Sequence, residues 1–119
     1  LRQYYRLKHP QRILMDAPMP ENPNQFIILA HYLQELGLRT PLVYDYHLEH
    51  GFVWLEDFGD QTYSKILLQH PEREAELYQL AVHVLQHLHQ QARIKPSFIE
   101  EYTLDKLLKE VEVFIDWYW

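Results

Sequence analysis

Apolar residues fall in short strand-like runs over the first half of the chain and at helical spacing over the second, so the hydrophobic period divides the sequence. Residues 1–8 (Leu1-Arg2-Gln3-Tyr4-Tyr5-Arg6-Leu7-Lys8) and 11–17 (Gln11 to Ala17) read as two strands separated by His9-Pro10, close enough to pair as a hairpin. Pro18, Pro20 and Pro23 then remove amide donors and restrict their neighbours, which predicts a loop. Beyond it Phe26, Ile27, Leu29, Ala30, Leu33 and Leu36 follow a helical period, and Gly37 stands where a C-terminal cap belongs, which predicts a helix over 24–36. Two further strand-like runs, 42–47 and 52–55, flank Glu49-His50-Gly51, whose composition suits a tight turn. The order strand, strand, helix, strand, strand with short links favours an antiparallel sheet carrying a helix on one face.

From residue 61 the pattern is helical. A short helix is predicted over 61–69. Pro71-Glu72-Arg73-Glu74 starts a longer one, because proline suits the first turn and acids suit the positive end of the helix dipole. Its expected buried stripe is Leu77, Leu80, Ala81, Val84, Leu85 and Leu88. After a connector with Pro96, Thr103-Leu104-Asp105 opens an amphipathic helix through Leu107, Leu108, Val111, Phe114 and Ile115 to Trp117-Tyr118-Trp119. The class is α+β, with the boundary between a β-rich and a helical half near 57–62. The chain begins within a strand and ends on three consecutive aromatics that need something to pack against, from which a larger parent protein is expected.

Composition narrows the function. Eleven Lys and Arg against 17 Asp and Glu give a net charge of −6, which opposes nonspecific binding to nucleic acid or to an anionic membrane surface. No apolar run approaches the roughly 20 residues that cross a bilayer. The absence of cysteine excludes disulfides, thiolate metal sites and a Cys nucleophile, and fits a soluble cytoplasmic protein. With three glycines, Gly37, Gly51 and Gly59, neither G-x-G-x-x-G nor the P-loop pattern can be written.

Several constellations invite a chemical reading. His83 and His87, four apart, would share a helix face, but Val84 stands where H-E-x-x-H needs Glu, and His89 points roughly 200° from His87; solvated histidines are the plainer reading. Asp57-Phe58-Gly59 spells the magnesium-binding tripeptide of protein kinases, yet no H-x-D-x-x-x-x-N loop precedes it, so Asp57 is expected in a turn leaving the fourth strand. Glu56, Asp57 and Asp60 lack the ligand spacing of a calcium loop and are expected to solvate that turn and cap the helix near Gln61. The aromatic end of the last helix could form a ligand platform, but the spacing of Leu107, Val111, Phe114, Ile115 and Trp117 makes core packing the default.

Three segments carry a resemblance: Ile13-Leu14-Met15-Asp16-Ala17-Pro18; then, after a helix, Gly51-Phe52-Val53-Trp54-Leu55-Glu56-Asp57-Phe58-Gly59-Asp60-Gln61-Thr62-Tyr63; and a closing helix ending Phe114-Ile115-Asp116-Trp117-Tyr118. In this order they resemble the aminoglycoside-phosphotransferase-like kinases, and within them the bacterial branch that includes the anomeric kinases of N-acetylmuramate and N-acetylglucosamine. The resemblance implies a protein-kinase-like fold: residues 1–56 as part of an N-terminal nucleotide-binding lobe, 57–62 as the hinge and 63–119 as the first helices of the C-terminal lobe. It implies ATP and Mg2+ as cofactors and an amino sugar or aminoglycoside as acceptor. Leu55 would be the gatekeeper and Glu56, Asp57 and Phe58 the hinge, with the Glu56 carbonyl and the Phe58 amide bonding the adenine edge. The catalytic base and metal ligands would lie outside these 119 residues, so the segment alone is expected to be inactive. Alignment with V-A-I-K places Asp16 where such kinases carry the phosphate-binding lysine, leaving Arg2, Arg6 or Arg12 as the cation facing the phosphates. The missing lysine and the acidic balance also motivate a second class, a nucleotide-sensing pseudokinase or a helical interaction module.

Overall fold

The structure is a computed structural model that describes residues 1–92 and 96–118, with the side chains of 114–116 and 118 outside the description. Four strands, β1 (Gln3–Lys8), β2 (Gln11–Asp16), β3 (Val43–His47) and β4 (Phe52–Leu55), form an antiparallel sheet in the order β1-β2-β4-β3. Helix α1 (Pro23–Glu35) joins the two hairpins, and α2 (Tyr63–Gln69), α3 (Glu74–Gln91) and α4 (Leu104–Tyr118) follow the sheet. The α+β class and the element order agree with the hydrophobic pattern.

The sheet is pleated, so alternate residues share a face. On β2 these are Ile13 and Met15, continued by Ala17; on β4 they are Val53 and Leu55. Ile13 pairs with Leu55 and Met15 with Val53. Met15, Ala17 and Val53 are completely buried, Leu55 and Ile27 nearly so, and Phe26 of α1 closes the cluster. The core is therefore the contact between the middle of the sheet and one side of α1. At the start of that helix the Asn22 side chain accepts the Gln25 amide at 3.2 Å, and Pro23 occupies the first turn where it sacrifices no hydrogen bond. At its far end the buried Thr40 hydroxyl donates to the Ala30 carbonyl at 3.1 Å and ties the outgoing chain to the helix.

The second hairpin turns through a single 3₁₀ turn, Leu48–His50, closed by Gly51 at φ +76°. A Cβ at Gly51 would lie 2.3 Å from the Ala17 carbonyl oxygen, and the Gly51 carbonyl accepts the Ala17 amide at 2.9 Å. Both sign and space require glycine here.

Three expectations need correction. Of the stripe on α3 only Leu77 is buried; Leu80, Val84 and Leu85 remain 51%, 45% and 55% exposed. In α4, Leu107 and Val111 are about half exposed and Trp117 is 81% exposed, so core packing does not hold for the described side chains. Periodicity declares an apolar face without saying what covers it. The side chains of Phe114, Ile115 and Tyr118, and all of Trp119, lie outside the described residues. Finally, Thr62 caps α2, its hydroxyl accepting the Lys65 amide at 3.4 Å, because the acids before it are engaged elsewhere.

Substituting Met15→Ala should destabilise by about 2–5 kcal/mol, the usual cost of a cavity at a fully buried position. Gly51→Ala should cost more than about 1 kcal/mol through its positive φ and the clash with Ala17. Chemical denaturation of both variants checks this; a Gly51→Ala protein as stable as the parent would contradict the turn geometry.

Candidate functional site

The four residues singled out as gatekeeper and hinge stand together. Leu55 ends β4, and Glu56, Asp57 and Phe58 lead out of the sheet toward α2. All four line a cleft of about 380 Å³, with Ile13 of β2 and Phe26 of α1 among its apolar walls. This size falls within the usual range for small-molecule sites, roughly 300–1,000 Å³.

The outgoing segment is held by its acids. The Glu56 side chain accepts the Leu42 amide at 3.1 Å and pairs with Arg39, while the Glu56 amide donates to the Leu42 carbonyl at 2.9 Å. The Arg39 guanidinium also covers the Phe58 ring, 4.9 Å from its centroid. Asp57 accepts the Gly59 amide at 2.9 Å, closing a local turn as its sequence position suggested. No hydrogen bond among the described residues uses the Glu56 carbonyl or the Phe58 amide.

The principal tie reaches across the sheet. Arg6 of β1 pairs with Ile13, and Ile13 with Leu55, so these residues occupy one row and project to one face. From there Arg6 grips two carboxylates. Its Nε and Nη2 meet the two oxygens of Asp57 at 2.8 and 3.0 Å, and its Nη1 and Nη2 meet those of Asp60 at 2.7 and 3.0 Å. Two bidentate contacts use the planar fork of the guanidinium as a lysine could not. The Asp57 side chain is only 3% exposed, against 64% for Asp60, so Asp57 is the partner least screened by solvent.

These contacts set the charge states. The Gly59 amide, followed by Arg6, holds the Asp57 carboxyl below its ordinary range. Arg6 does the same for Asp60, and Arg39 followed by the Leu42 amide lowers Glu56. The Arg6 guanidinium is raised in turn, chiefly by its bonds to Asp60 and Asp57. Asp57 does not fit a magnesium ligand, because both of its oxygens already accept from Arg6.

The remaining candidates disperse. Arg2 pairs with Glu21 at 2.9 Å, and Arg12 lies over the Tyr44 ring at 4.2 Å, so Arg2, Arg6 and Arg12 all have partners. The face of β2 that meets α1 carries Ile13, Met15 and Ala17, and Asp16 alternates to the other side. A strand cation paired with the helix would have to stand at Met15, one residue before the place given by alignment. His87 is held by the Leu36 carbonyl at 2.7 Å, a structural tie rather than one of a set of metal ligands. Sequence reasoning missed Arg39 and the pairing of Arg6 with the acids. The spacing of 51 to 54 residues between these partners leaves no local signal.

The phosphotransferase enzyme family matches residues 2–118. An N-acetylmuramate/N-acetylglucosamine kinase of Pseudomonas aeruginosa PAO1 is 34% identical over 98% of this chain, and one of Pseudomonas putida KT2440 is 33% identical over 89%. The chain spans 34% and 30% of the length of these curated relatives. The resemblance drawn from the three sequence segments therefore holds. No helix among the described residues is long and apolar enough to cross a membrane.

Because the shifted carboxyls are lowered, the stability they supply is complete above the ordinary carboxyl pKa of about 4 and is lost as the pH falls through their folded values. Melting temperatures of the parent and Asp57→Asn proteins should therefore differ at pH 7 and converge toward pH 2.5. A gap unchanged across that range would contradict the Arg6–Asp57 tie.

Proposed function

Since this chain belongs to the phosphotransferase enzyme family, we propose that it is the ATP-binding portion of a small-molecule kinase that phosphorylates an amino-sugar hydroxyl. Residues 1–56 form part of the nucleotide-binding lobe, 57–62 the hinge, and 63–119 the opening of the helical lobe. The observation that carries this reading is the cleft beside Leu55–Phe58, where a Glu56 carbonyl and a Phe58 amide unused by the fold border an apolar pocket. A purine edge needs one acceptor and one donor from the chain, flanked by apolar walls. Leu55 sets the depth of that pocket, and Arg6 and Arg39 hold the segment that presents the two main-chain groups.

In such a transfer the acceptor hydroxyl oxygen forms a bond to the γ-phosphorus, the bond to the β,γ-bridging oxygen breaks, ADP leaves, and the hydroxyl proton passes to a base. Mg2+ neutralises the phosphate charge when bound. Neither base nor magnesium ligand is assigned among these residues, so this segment contributes positioning of the nucleotide. The names of the two relatives favour an N-acetylated amino sugar over an aminoglycoside as acceptor. A cytoplasmic location fits the cysteine-free composition.

The full-length protein should show an ATP-dependent rise in melting temperature and should release ADP with N-acetylglucosamine or N-acetylmuramate in the presence of Mg2+. The 119-residue segment alone should turn nothing over. Nucleotide binding without transfer to any amino sugar or aminoglycoside would favour the sensor reading, consistent with Met15 in place of a strand cation. No binding at all would overturn the nucleotide site.

A further inference from the structure

We propose that the turn between β3 and β4 binds one divalent transition-metal ion of the zinc, nickel and copper class through His47, His50 and Glu49. These residues lie at the opposite end of β4 from the cleft, about 10 Å away along the strand at roughly 3.3 Å per residue, and the kinase reading does not use them.

His47 ends β3, and Leu48–His50 make a single 3₁₀ turn. His47 precedes this turn and His50 ends it, and the two imidazoles meet edge to face. Their Nδ1 atoms are 2.9 Å apart, with ring centroids at 4.4 Å, and one ligand atom from each of His47, Glu49 and His50 lies within 4.8 Å of the other two. Metal–nitrogen bonds of about 2.05 Å place two ligand atoms about 2.9 Å apart at a right angle and about 3.3 Å apart at the tetrahedral angle. The observed separation already matches the first and needs only a few tenths of an ångström to reach the second. Without an ion the rings share a hydrogen bond, one Nδ1–H donating to the other Nδ1. Binding turns the donor ring to its Nε2–H tautomer and frees both lone pairs for the metal.

The ligands stand on a backbone that is already set. The Gly51 amide donates to the Leu48 carbonyl at 3.1 Å, and Ala17 packs against Gly51 so closely that no side chain fits there. The His50 ring lies parallel to Phe52, 6.4 Å between centroids. Little ordering remains to oppose binding. Two imidazoles and one carboxylate, all exposed, select a borderline ion over magnesium, and water completes the coordination.

The test is calorimetric titration of the intact protein, made without a histidine tag, with ZnCl2 and NiCl2. One ion per chain is expected at this site. The His47→Gln/His50→Gln protein should bind at least about tenfold more weakly, while His83→Gln/His89→Gln should bind as the parent does; excess MgCl2 should not compete. The metal should raise the melting temperature of the parent and not of the turn variant, whose metal-free melting should match the parent because the replaced side chains are exposed. Absence of binding at tens of micromolar protein, or equal affinity in the turn variant, overturns the site.

Discussion

One guanidinium organises the chain's exit from the sheet. Arg6 stands in the row that runs through Ile13 and Leu55, and its two bidentate contacts fasten Asp57 and Asp60 to the opposite strand edge. Without that bridge, the residues after β4 would keep the Glu56 contacts, the Asp57–Gly59 turn, a long hydrogen bond from the Gln11 side chain to Asp57 and the stacking of Arg39 on Phe58. With it, the main chain of Glu56 to Phe58 is held beside an apolar pocket whose walls are also the core of the sheet. Fold and site are thus linked, because Ile13 and Leu55 belong to both.

The acidic cluster illustrates how a local motif misleads. Asp57-Phe58-Gly59 has the letters of a magnesium tripeptide, but the Asp57 carboxylate is buried against Arg6 and closes a turn on Gly59. A negative patch next to a phosphate-binding pocket would repel its ligand. Here each of the three carboxylates is paired, Asp57 and Asp60 with Arg6 and Glu56 with Arg39, so two cations offset most of the charge of three acids.

Elements with a strong local signal were legible in the sequence. The hairpins at His9-Pro10 and Gly51 and the helix ending before Gly37 each rest on turn or cap chemistry within a few residues. The grouping of Leu55 to Phe58 came from resemblance, since the main-chain contacts proposed there would leave no side-chain signature. What could not be read was long-range: the reach of Arg6 to residues 51 and 54 positions away, the stacking of Arg39 on Phe58, and the side of β2 that Asp16 faces. The apolar stripes of α3 and α4 were visible as stripes, but their exposure depends on tertiary partners that no period encodes.

On the proposed function, Arg6 supports nucleotide binding by positioning residues 56–58 through Asp57. A double-mutant cycle on the full-length protein, with Arg6→Gln, Asp57→Asn and the combination, measures it directly through affinity for a non-hydrolysable ATP analogue. Either substitution should weaken binding, and the second should add little once the first is present. Fully additive losses, or single variants that bind the analogue as the parent does, would contradict it.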